Sequence, residues 1–567
     1  MSQENQKDME QYFFRASAAD FKKIPGSPIA YWTSSKFLSL FKSNETLRGY
    51  GVNPATGMQT GDNNRFIRCW FEVSDNKRGV KWISLNDGGD VRKWYGNFIS
   101  CIDWGGGGES IRAHKSSVIR NAQYYFREGA TWNRISSAFF AIRYLPEGFI
   151  FDQAGDALFA DENQDLFLMI GFLNSPIGFS VMKILCPTLN ATAGNLELFP
   201  YPERAKPAVD DIKPIIKKLI SHAQVDWDSY ETSWDFTSLL LLNPNHYKPM
   251  LKATYQRLRA DWREMALDMQ RLEEENNRIF IEAYGLQDEL SPDVPLKEIT
   301  LTCNPHYRYG GDRTDAELEA QLQADTMAEF LSYSVGCMFG RYSLDKPGLV
   351  LANQGETLAE YLRQIPEPRF MPDEDNVIPL LDGEWFPDDV TERFRAFLRV
   401  TFGDEHYEEN LAFIEQSLGK DVRKYFIKDF YADHVKRYKK RPIYWLFASP
   451  KGTFSVLIYL HRYRPDTVSV VLRYLRDFRK KLAARLDYLQ QVGISASASQ
   501  GEKTKANKEV ETIKKQLLEL DDYERETLYP LATEQVALDL DDGVKVNYLK
   551  LGPALKKIVG LDAKAED

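Results

Sequence analysis

Hydrophobic residues recur at alternating steps of four and three along a stretch in the middle of the chain. The positions on this seam are Leu251, Tyr255, Leu258, Trp262, Met265, Met269, Leu272, Asn276, Ile279 and Ala283. A heptad pattern of this length predicts one long helix with a partner along it. A predicted helix at 209–220 is the nearest candidate partner, and an intermolecular coiled coil is the alternative. The polar Asn276 either fixes the register or marks where the packing ends.

Alternation with a period of two is typical of the region from 51 to 205. Hydrophobic and polar residues alternate over 67–73, which predicts a half-buried strand. Further strands are predicted at 81–85, 98–104, 139–145 and 149–152, between turns rich in Gly, Asn and Asp. The glycine run 105–108 is predicted to be a flexible loop. The pattern therefore indicates a mostly β domain with long loops.

The remaining pattern is helical. The apolar stretch 166–186 is interrupted by Asn174, Ser175 and Pro176, which favours a broken core helix over a membrane span. A mixed, mainly helical region follows from 301 to 480, with a strand-like patch at 442–447. Helices at 467–492 and 503–529, separated by the Ser/Ala/Gly stretch 493–501, predict an antiparallel hairpin with a flexible tip.

These patterns predict an α+β multidomain protein in which a mostly β domain precedes long, coiled-coil-like helices and a mainly helical C-terminal region. The expected divisions are a connecting segment (1–50), the β domain (51–205), a long-helix spacer (206–300), a mixed helical domain (301–480) and a helical hairpin with a tail (481–567). The prolines between 200 and 207 mark the expected end of the β domain.

Composition adds a cytoplasmic location and an uneven distribution of charge. The N-terminus has no apolar signal segment, and the mean hydropathy of −0.44 speaks against a membrane protein. Five scattered cysteines and seven dispersed histidines indicate reduced thiols and no metal site. The net charge is −10, yet 61–143 holds 13 basic against 8 acidic residues and 423–464 holds 11 against 2. Two basic segments in an acidic chain indicate a nucleic-acid surface.

The loop Thr60 to Phe66 contains the first candidate DNA contacts, Asn63, Asn64 and Arg65. Asparagine can make two hydrogen bonds to adenine, and arginine can pair with guanine or hold a phosphate. The alternative is an ordinary turn, because Gly, Asp and Asn accept turn conformations readily.

A second candidate group lies around the glycine-bearing turn 87–90. Lys81, Arg92, Lys93 and Trp94 interleave cations with aromatic rings, which would suit phosphate contact and stacking. Arg134 joins this group, either positioning the DNA or reading it. The alternative is a solvated surface with Trp94 in the core.

The densest basic stretch supplies Lys436, Arg437, Lys439, Lys440 and Arg441 as candidate phosphate contacts. The alternative is a solvated helix face, the usual reason for a run of charge. The local excess of positive charge favours phosphate binding.

Catalytic motifs are not recognisable in the sequence. The chain contains neither a phosphate-binding Gly-x4-Gly-Lys-Ser/Thr loop nor a Gly-x-Ser-x-Gly elbow. The segment 304–307, Asn-Pro-His-Tyr, differs from the Asn-Pro-Pro-Tyr of amino-methylating enzymes, and no cofactor-binding βαβ stretch precedes it. We therefore expect no catalytic residue and no cofactor in this chain.

Several segments together resemble the C-terminal half of PglX-type adenine-specific DNA methyltransferases of BREX anti-phage systems. The matching stretches are FKKIPGSPIAYW (21–32), TGDNNRFIRCWFEV (60–73), GGDVRKWYGN (88–97), TWNRISS (131–137), FAIRYLPEGFIFD (140–152), FLNSPIG (172–178), VGCMFGRYSLDKPG (335–348), KRPIYWLFASPKGTF (440–454) and DLDDGVKVNY (539–548). They occur in family order over nearly the whole chain.

The resemblance implies that 51–205 is a target-recognition domain for double-stranded DNA. It also implies that the catalytic domain, with its S-adenosylmethionine, belongs to a missing N-terminal half, so that this chain alone is expected to be inactive. A separate methyltransferase half and other BREX proteins are the expected partners, with no membrane. The alternatives are a protein-interaction scaffold of the BREX complex with little DNA binding, and a complete enzyme with an unrecognised nuclease or methyltransferase site.

Overall fold

The computed structural model describes residues 17–42, 47–135, 140–186 and 190–561. Two compact units make up the chain. Unit 1 comprises Met1–Ile67, Lys81–Asp228 and Asp261–Arg313, and unit 2 comprises Arg68–Val80, Ser229–Ala260 and Thr314–Asp567. The chain passes back and forth between the two units. The expected end of the β domain at 205 lies inside unit 1, which continues to Asp228. The finer division into domains stays a prediction.

The strands are β1 (Val52–Ala55), β2 (Ile67–Cys69), β3 (Trp82–Asn86), β4 (Ser100–Asp103), β5 (Gly129–Trp132), β6 (Ile142–Leu145), β7 (Ile150–Phe151), β8 (Ala157–Ala160), β9 (Ile378–Pro379), β10 (Tyr444–Ala448) and β11 (Ser455–Tyr459).

The helices up to the long central helix are α1 (Ala18–Phe21), α2 (Ser35–Leu38), α3 (Asn63–Phe66), α4 (Gly105–Arg112), α5 (Asn163–Leu173), α6 (Pro176–Leu185), α7 (Ala193–Glu197), α8 (Val209–Asp228) and α9 (Leu251–Tyr284). Those after it are α10 (Pro305–Arg308), α11 (Asp315–Met338), α12 (Leu358–Gln364), α13 (Val390–Phe402), α14 (Tyr407–Leu418), α15 (Val422–Tyr425), α16 (Tyr431–Arg437), α17 (Thr467–Ile494), α18 (Gln500–Tyr523), α19 (Tyr529–Glu534) and α20 (Gly543–Lys550). The predicted α+β class is confirmed.

Unit 1 is built on small, mainly antiparallel sheets. One has the order β1-β8-β5-β6, and another contains the neighbours β4-β3-β7, in which β3 is antiparallel to β4 and parallel to β7. The strands predicted at 81–85, 98–104 and 149–152 are confirmed as β3, β4 and β7, with shorter bounds for the last two. The strand predicted at 139–145 is present as β6, and Phe139 lies outside the described residues.

The strand predicted over 67–73 is wrong beyond Cys69. After β2 the backbone turns into a 3₁₀ helix, Trp70–Glu72. The side chain of Glu72 folds back so that its carboxylate accepts a hydrogen bond from the backbone N–H of Cys69, at 2.9 Å. Such a cap stabilises a helical turn locally. This stabilisation outweighs the alternation of hydrophobic and polar residues, which favours a strand.

The glycine run 105–108, predicted to be a flexible loop, forms an ordered left-handed turn that leads into the helical part of α4. Gly106, Gly107 and Gly108 all have left-handed backbone conformations, with φ between 59° and 80°. A Cβ on Gly108 would lie 2.7 Å from the ring of Trp104. Glycine at this position therefore allows a close approach that any side chain would block.

The long helix predicted from the heptad seam is confirmed as α9. Its part in unit 1 packs on the predicted partner helix α8, where Lys218 Nζ and His222 Nε2 lie 2.7 and 2.8 Å from the Asp268 carboxylate. The buried Asn276 donates a hydrogen bond to the carbonyl oxygen of Gly171 in α5, at 3.1 Å. This bond fits a role for Asn276 in fixing the register.

The apolar stretch 166–186 forms two helices, α5 and α6, with a bend of 76° between them. Ser175 caps α6 through a hydrogen bond from the N–H of Gly178, and most apolar side chains of both helices are buried. Within the described part of the chain, no single helix is long and apolar enough to cross a membrane, and this bent pair alone passes that test of length and composition.

Unit 2 has one large apolar core around β10 and β11. The small sheet has the order β10-β11-β9, and Trp445, Phe447 and Ile458 are fully buried in it. The predicted C-terminal hairpin is confirmed as α17 and α18, which Arg485 and Glu509 join by an ion pair of 2.9 Å. The predicted strand at 442–447 is confirmed as β10.

Candidate nucleic-acid interface

The segment from Thr60 to Phe66 presents three consecutive polar side chains on unit 1. The Asp62 carboxylate caps the single turn of α3 by accepting a hydrogen bond from the N–H of Arg65, at 3.1 Å. Phe66 is buried and anchors the turn, whereas Asn63, Asn64 and Arg65 are exposed. The sequence motif thus forms a capped turn whose side chains are accessible to a ligand.

A second basic segment lies beside this turn. Gln59 and Val118 exchange two backbone hydrogen bonds of 2.9 Å, which place the segment 112–120 next to the start of the loop. Arg112 and Lys115 are exposed, and Arg120 donates a hydrogen bond to the side chain of Gln59 at 3.3 Å. Sequence reasoning missed these three cations. The signal was present, since 112–120 contains no acidic residue.

Lys81 and Arg134 are half-exposed and have polar partners. Lys81 Nζ lies 3.6 Å from the Asp103 carboxylate. Arg134 Nε donates a hydrogen bond to the side chain of Asn190, at 3.1 Å. Both side chains therefore remain near the surface of unit 1.

The structure corrects the view of Arg92 and Lys93 as accessible DNA contacts, because both are buried. Lys93 Nζ lies 2.6 Å from Glu273, and Arg92 Nη1 lies 3.3 Å from Asp226. Trp94, also buried, donates a hydrogen bond from Nε1 to the same Glu273 carboxylate, at 2.7 Å. These contacts fix the loop onto α8 and α9, so the three residues have a structural role.

The segment 304–307 is a helix cap in the structure. The side chain of Asn304 accepts a hydrogen bond from the N–H of His306, at 3.2 Å, and donates to the carbonyl oxygens of Leu296 and Ile299. Asn304 is therefore committed to local backbone hydrogen bonds at the start of α10.

The basic stretch near 440 divides into two arginines that face carboxylates and three exposed lysines. Arg437 Nη1 lies 3.9 Å from Glu231, and Arg441 Nε lies 3.9 Å from Glu72, so these two arginines face carboxylates of unit 2. Lys436, Lys439 and Lys440 are exposed. The predicted phosphate-binding cluster is thus reduced to three lysines that can reach a ligand.

These three lysines line a concavity of unit 2 with a volume of about 1060 Å³. Its lysines are Lys428, Lys436, Lys439, Lys440, Lys451, Lys556 and Lys557, and we call it the lysine cavity. Asp382 is the single carboxylate among its lining residues. Four of the seven lysines were missed from sequence: Lys428 and Lys451 lie in the basic segment 423–464 but outside its densest run, and Lys556 and Lys557 are about a hundred residues further along the chain.

The chain has curated relatives over nearly its whole length. It is 37% identical over 574 residues to the adenine-specific methyltransferase BrxX of Escherichia coli O9:H4 (strain HS), with 97% of this chain and 46% of the relative aligned. It is also 37% identical over 572 residues to the adenine-specific methyltransferase PglX of Lacticaseibacillus casei (strain Zhang), with 95% of this chain and 45% of the relative aligned. The chain spans about half the length of these relatives. No model of a known protein family matches it.

Proposed function

We propose that this chain is the part of a BREX N6-adenine DNA methyltransferase that recognises a specific double-stranded DNA sequence, in a system that marks self DNA and excludes phage. Its homologues are adenine-specific methyltransferases. An enzyme of this kind must find its adenine within a sequence before the base can leave the stack. The exposed turn with Asn63, Asn64 and Arg65 is the observation on which the proposal depends.

The chemistry of this turn suits the edges of bases in the major groove. An asparagine amide can bond N6 and N7 of adenine, and an arginine can bond O6 and N7 of guanine. The cap by Asp62 and the buried Phe66 hold the turn in one conformation, so that little flexibility is lost on binding.

The neighbouring cations suit the phosphates on either side of the site. Arg112 and Lys115 are exposed beside the turn, and phosphate contacts of this kind set the register of a protein on DNA. Lys436, Lys439 and Lys440 are predicted phosphate contacts too, but the proposal does not depend on them, because they line the lysine cavity of unit 2.

Replacing Asn63, Asn64 and Arg65 with alanine should relax the discrimination among DNA sequences. Each good bidentate pair contributes about 1–3 kcal/mol against a wrong base, so preferred and random sites should converge in affinity. Competition binding with a pool of random duplexes measures this directly. Lys217→Ala, which removes an exposed cation on α8, is the control and should leave the preferred sequence unchanged. An equal loss of affinity for all sequences would contradict a reading role for the turn.

Replacing Arg112 and Lys115 with glutamine should weaken binding to every sequence alike. Each lost phosphate contact should flatten the plot of log affinity against log salt by about 0.9. Binding to one duplex across a salt series checks the slope. If these variants and the alanine variants of the turn all leave DNA binding unchanged, the scaffold alternative becomes the better explanation.

A further inference from the structure

We infer that the lysine cavity of unit 2 binds an organic polyphosphate of nucleotide size. This inference does not depend on the DNA-recognition proposal, because the cavity and the turn at Asn63 belong to different units. Three features carry it: an excess of positive charge in one concave surface, a constrained backbone at several of its lysines, and apolar residues in the same lining, which we call the apolar floor.

The positive charge of the cavity favours the binding of an anion. All seven lysines are exposed, and among the described residues none of them lies within 4.0 Å of a carboxylate oxygen. Asp382, the single acidic residue of the lining, is itself exposed to solvent. Like charges in one concave surface repel one another and focus the electric field, so a multivalent anion relieves the repulsion when it binds.

The backbone at two of these lysines has an unusual conformation. Lys439 and Lys440 both have left-handed conformations, with φ of 49° and 60°, in the turn that ends α16. Such a conformation costs about 1 kcal/mol or more for a residue with a side chain, and glycine or asparagine would avoid much of it. Lysine at both positions therefore supplies a side chain at a cost in stability, as expected where that side chain has a function.

The C-terminal segment contributes Lys556 and Lys557 from a fixed position. Leu555 forms an antiparallel bridge with Phe447 at the edge of β10. The N–H of Lys556 donates a hydrogen bond to the carbonyl oxygen of Leu446, at 2.8 Å. The site is thus assembled from rigid elements, which lowers the entropy lost on binding.

The size and floor of the cavity distinguish a nucleotide from duplex DNA. A volume of about 1060 Å³ is at the upper end of what small-molecule sites occupy, and a duplex whose major groove alone is ~12 Å wide could touch only the lip. The same lining includes the apolar residues Trp385, Val435, Phe478 and Leu482, which form the apolar floor. Trp385 is half-exposed, and its Nε1 donates a hydrogen bond to the Asp382 carbonyl oxygen at 2.8 Å. A planar base can stack on such a fixed indole while lysines hold the phosphates.

Calorimetric titration of the full chain in magnesium-free buffer tests the inference with three probes. ATP should bind saturably to one site, tripolyphosphate should bind more weakly, and adenosine should show no saturable binding. The ranking follows because ATP alone uses both the lysines and the apolar floor. Failure of ATP to bind up to about millimolar concentration, where only −4 kcal/mol or so of binding free energy is needed, would overturn the inference. So would tripolyphosphate binding as tightly as ATP.

Matched variants locate the binding. Lys439→Gln, Lys440→Gln and Lys557→Gln together should raise the Kd of ATP about tenfold or more, since three charge-assisted contacts are lost. The control removes three exposed lysines of α18, with Lys505→Gln, Lys508→Gln and Lys515→Gln, and should change the Kd less than about twofold, because exposed charges at a distance are screened by salt. Equal losses in the two triple variants would contradict a specific site.

Trp385→Leu separates the base from the phosphates. This variant should weaken ATP severalfold and leave tripolyphosphate binding unchanged, and the unchanged binding also shows that the cavity is still folded. Any other result for Trp385→Leu would contradict stacking of the base on this indole.

The cavity triple variant also tests DNA as the ligand. If it loses affinity for a short DNA duplex, with a flatter salt dependence, and ATP does not bind, the ligand is the DNA backbone and the inference is wrong.

Discussion

Replacing Glu273 with glutamine should lower the free energy of unfolding of unit 1 by about 3–5 kcal/mol, the usual result of removing one partner of a buried ion pair. Glu273 is 2% exposed, and its carboxylate has two partners at the same time. Its Oε2 lies 2.6 Å from Lys93 Nζ, and its Oε1 accepts a hydrogen bond from Trp94 Nε1 at 2.7 Å. Without the negative charge, the buried ammonium of Lys93 loses its contact with this carboxylate.

Urea denaturation measures the loss, and hydrogen exchange of the peptide around 88–100 assigns it to unit 1. Glu275→Gln on the same helix is the control, because Glu275 is half-exposed and pairs with Arg278 at the surface. It should change stability by less than about 0.5 kcal/mol.

A double variant separates the ion pair from simple packing. Lys93→Met with Glu273→Gln removes both charges and keeps an amide oxygen that can accept the hydrogen bond from Trp94 Nε1, so it should recover much of the stability lost in Glu273→Gln. A double variant that is no more stable than the single one would show that the charge of Lys93 is not the cause. A loss below about 1 kcal/mol in Glu273→Gln would contradict burial of the pair.

The loop from Arg92 to Trp94 also shows what could not be predicted from the sequence. The run from Arg92 to Trp94 has the composition of a DNA-binding loop, but its partners Asp226 and Glu273 lie more than a hundred residues further along the chain. Burial of a lysine depends on whether a distant carboxylate meets it, and local pattern carries no information on this. By contrast, Asn63 and Arg65 are exposed because a local cap and a local anchor, Asp62 and Phe66, hold their turn.

The fold was predictable where one periodic pattern decided it. The seam of α9 repeats for more than four heptads, and only a helix places all its members on one side. The strands β5 and β8 were not predicted, because nearly all their residues are buried and hydrophobic residues do not alternate with polar ones. Likewise, the lysine cavity draws Lys451 and Lys556 from separate segments that only the packing of unit 2 brings together.

Raising the pH from about 5 to about 8 should destabilise unit 1, and Asp152→Asn should remove much of this effect. Asp152 is 7% exposed, and its carboxylate accepts hydrogen bonds from the N–H groups of Ala154 and Gly155. Burial, and secondly the nearby Asp87, raise the pKa of Asp152 to about 7. In the unfolded chain this pKa is about 3.9.

The sign of the effect follows from which state holds the proton. Between about pH 4 and pH 7 the folded state binds this proton and the unfolded state has released it, so stability falls as the pH rises through this window. A difference of about three pKa units corresponds to roughly 4 kcal/mol at most. Burial also raises the pKa of Asp156, to about 6, which adds to the slope in the same direction.

The free energy of unfolding of wild type and of Asp152→Asn, measured across this pH range, tests the role of Asp152. Asp161→Asn is an exposed control in the same unit. The Asp152→Asn curve should be the flatter one and should lie above wild type at about pH 8, whereas the control should run parallel to wild type. Parallel curves for Asp152→Asn and wild type would show that Asp152 is ionised in both states.

The ionisation of Asp152 also bears on the proposed recognition turn. Met58 pairs with Asp152 in a parallel bridge, and Gln153 donates its N–H to the Met58 carbonyl oxygen at 3.1 Å. Met58 directly precedes the loop that carries Asn63 and Arg65, so hydrogen exchange in 58–66 should quicken with pH beyond its intrinsic rate in wild type and less in the variant.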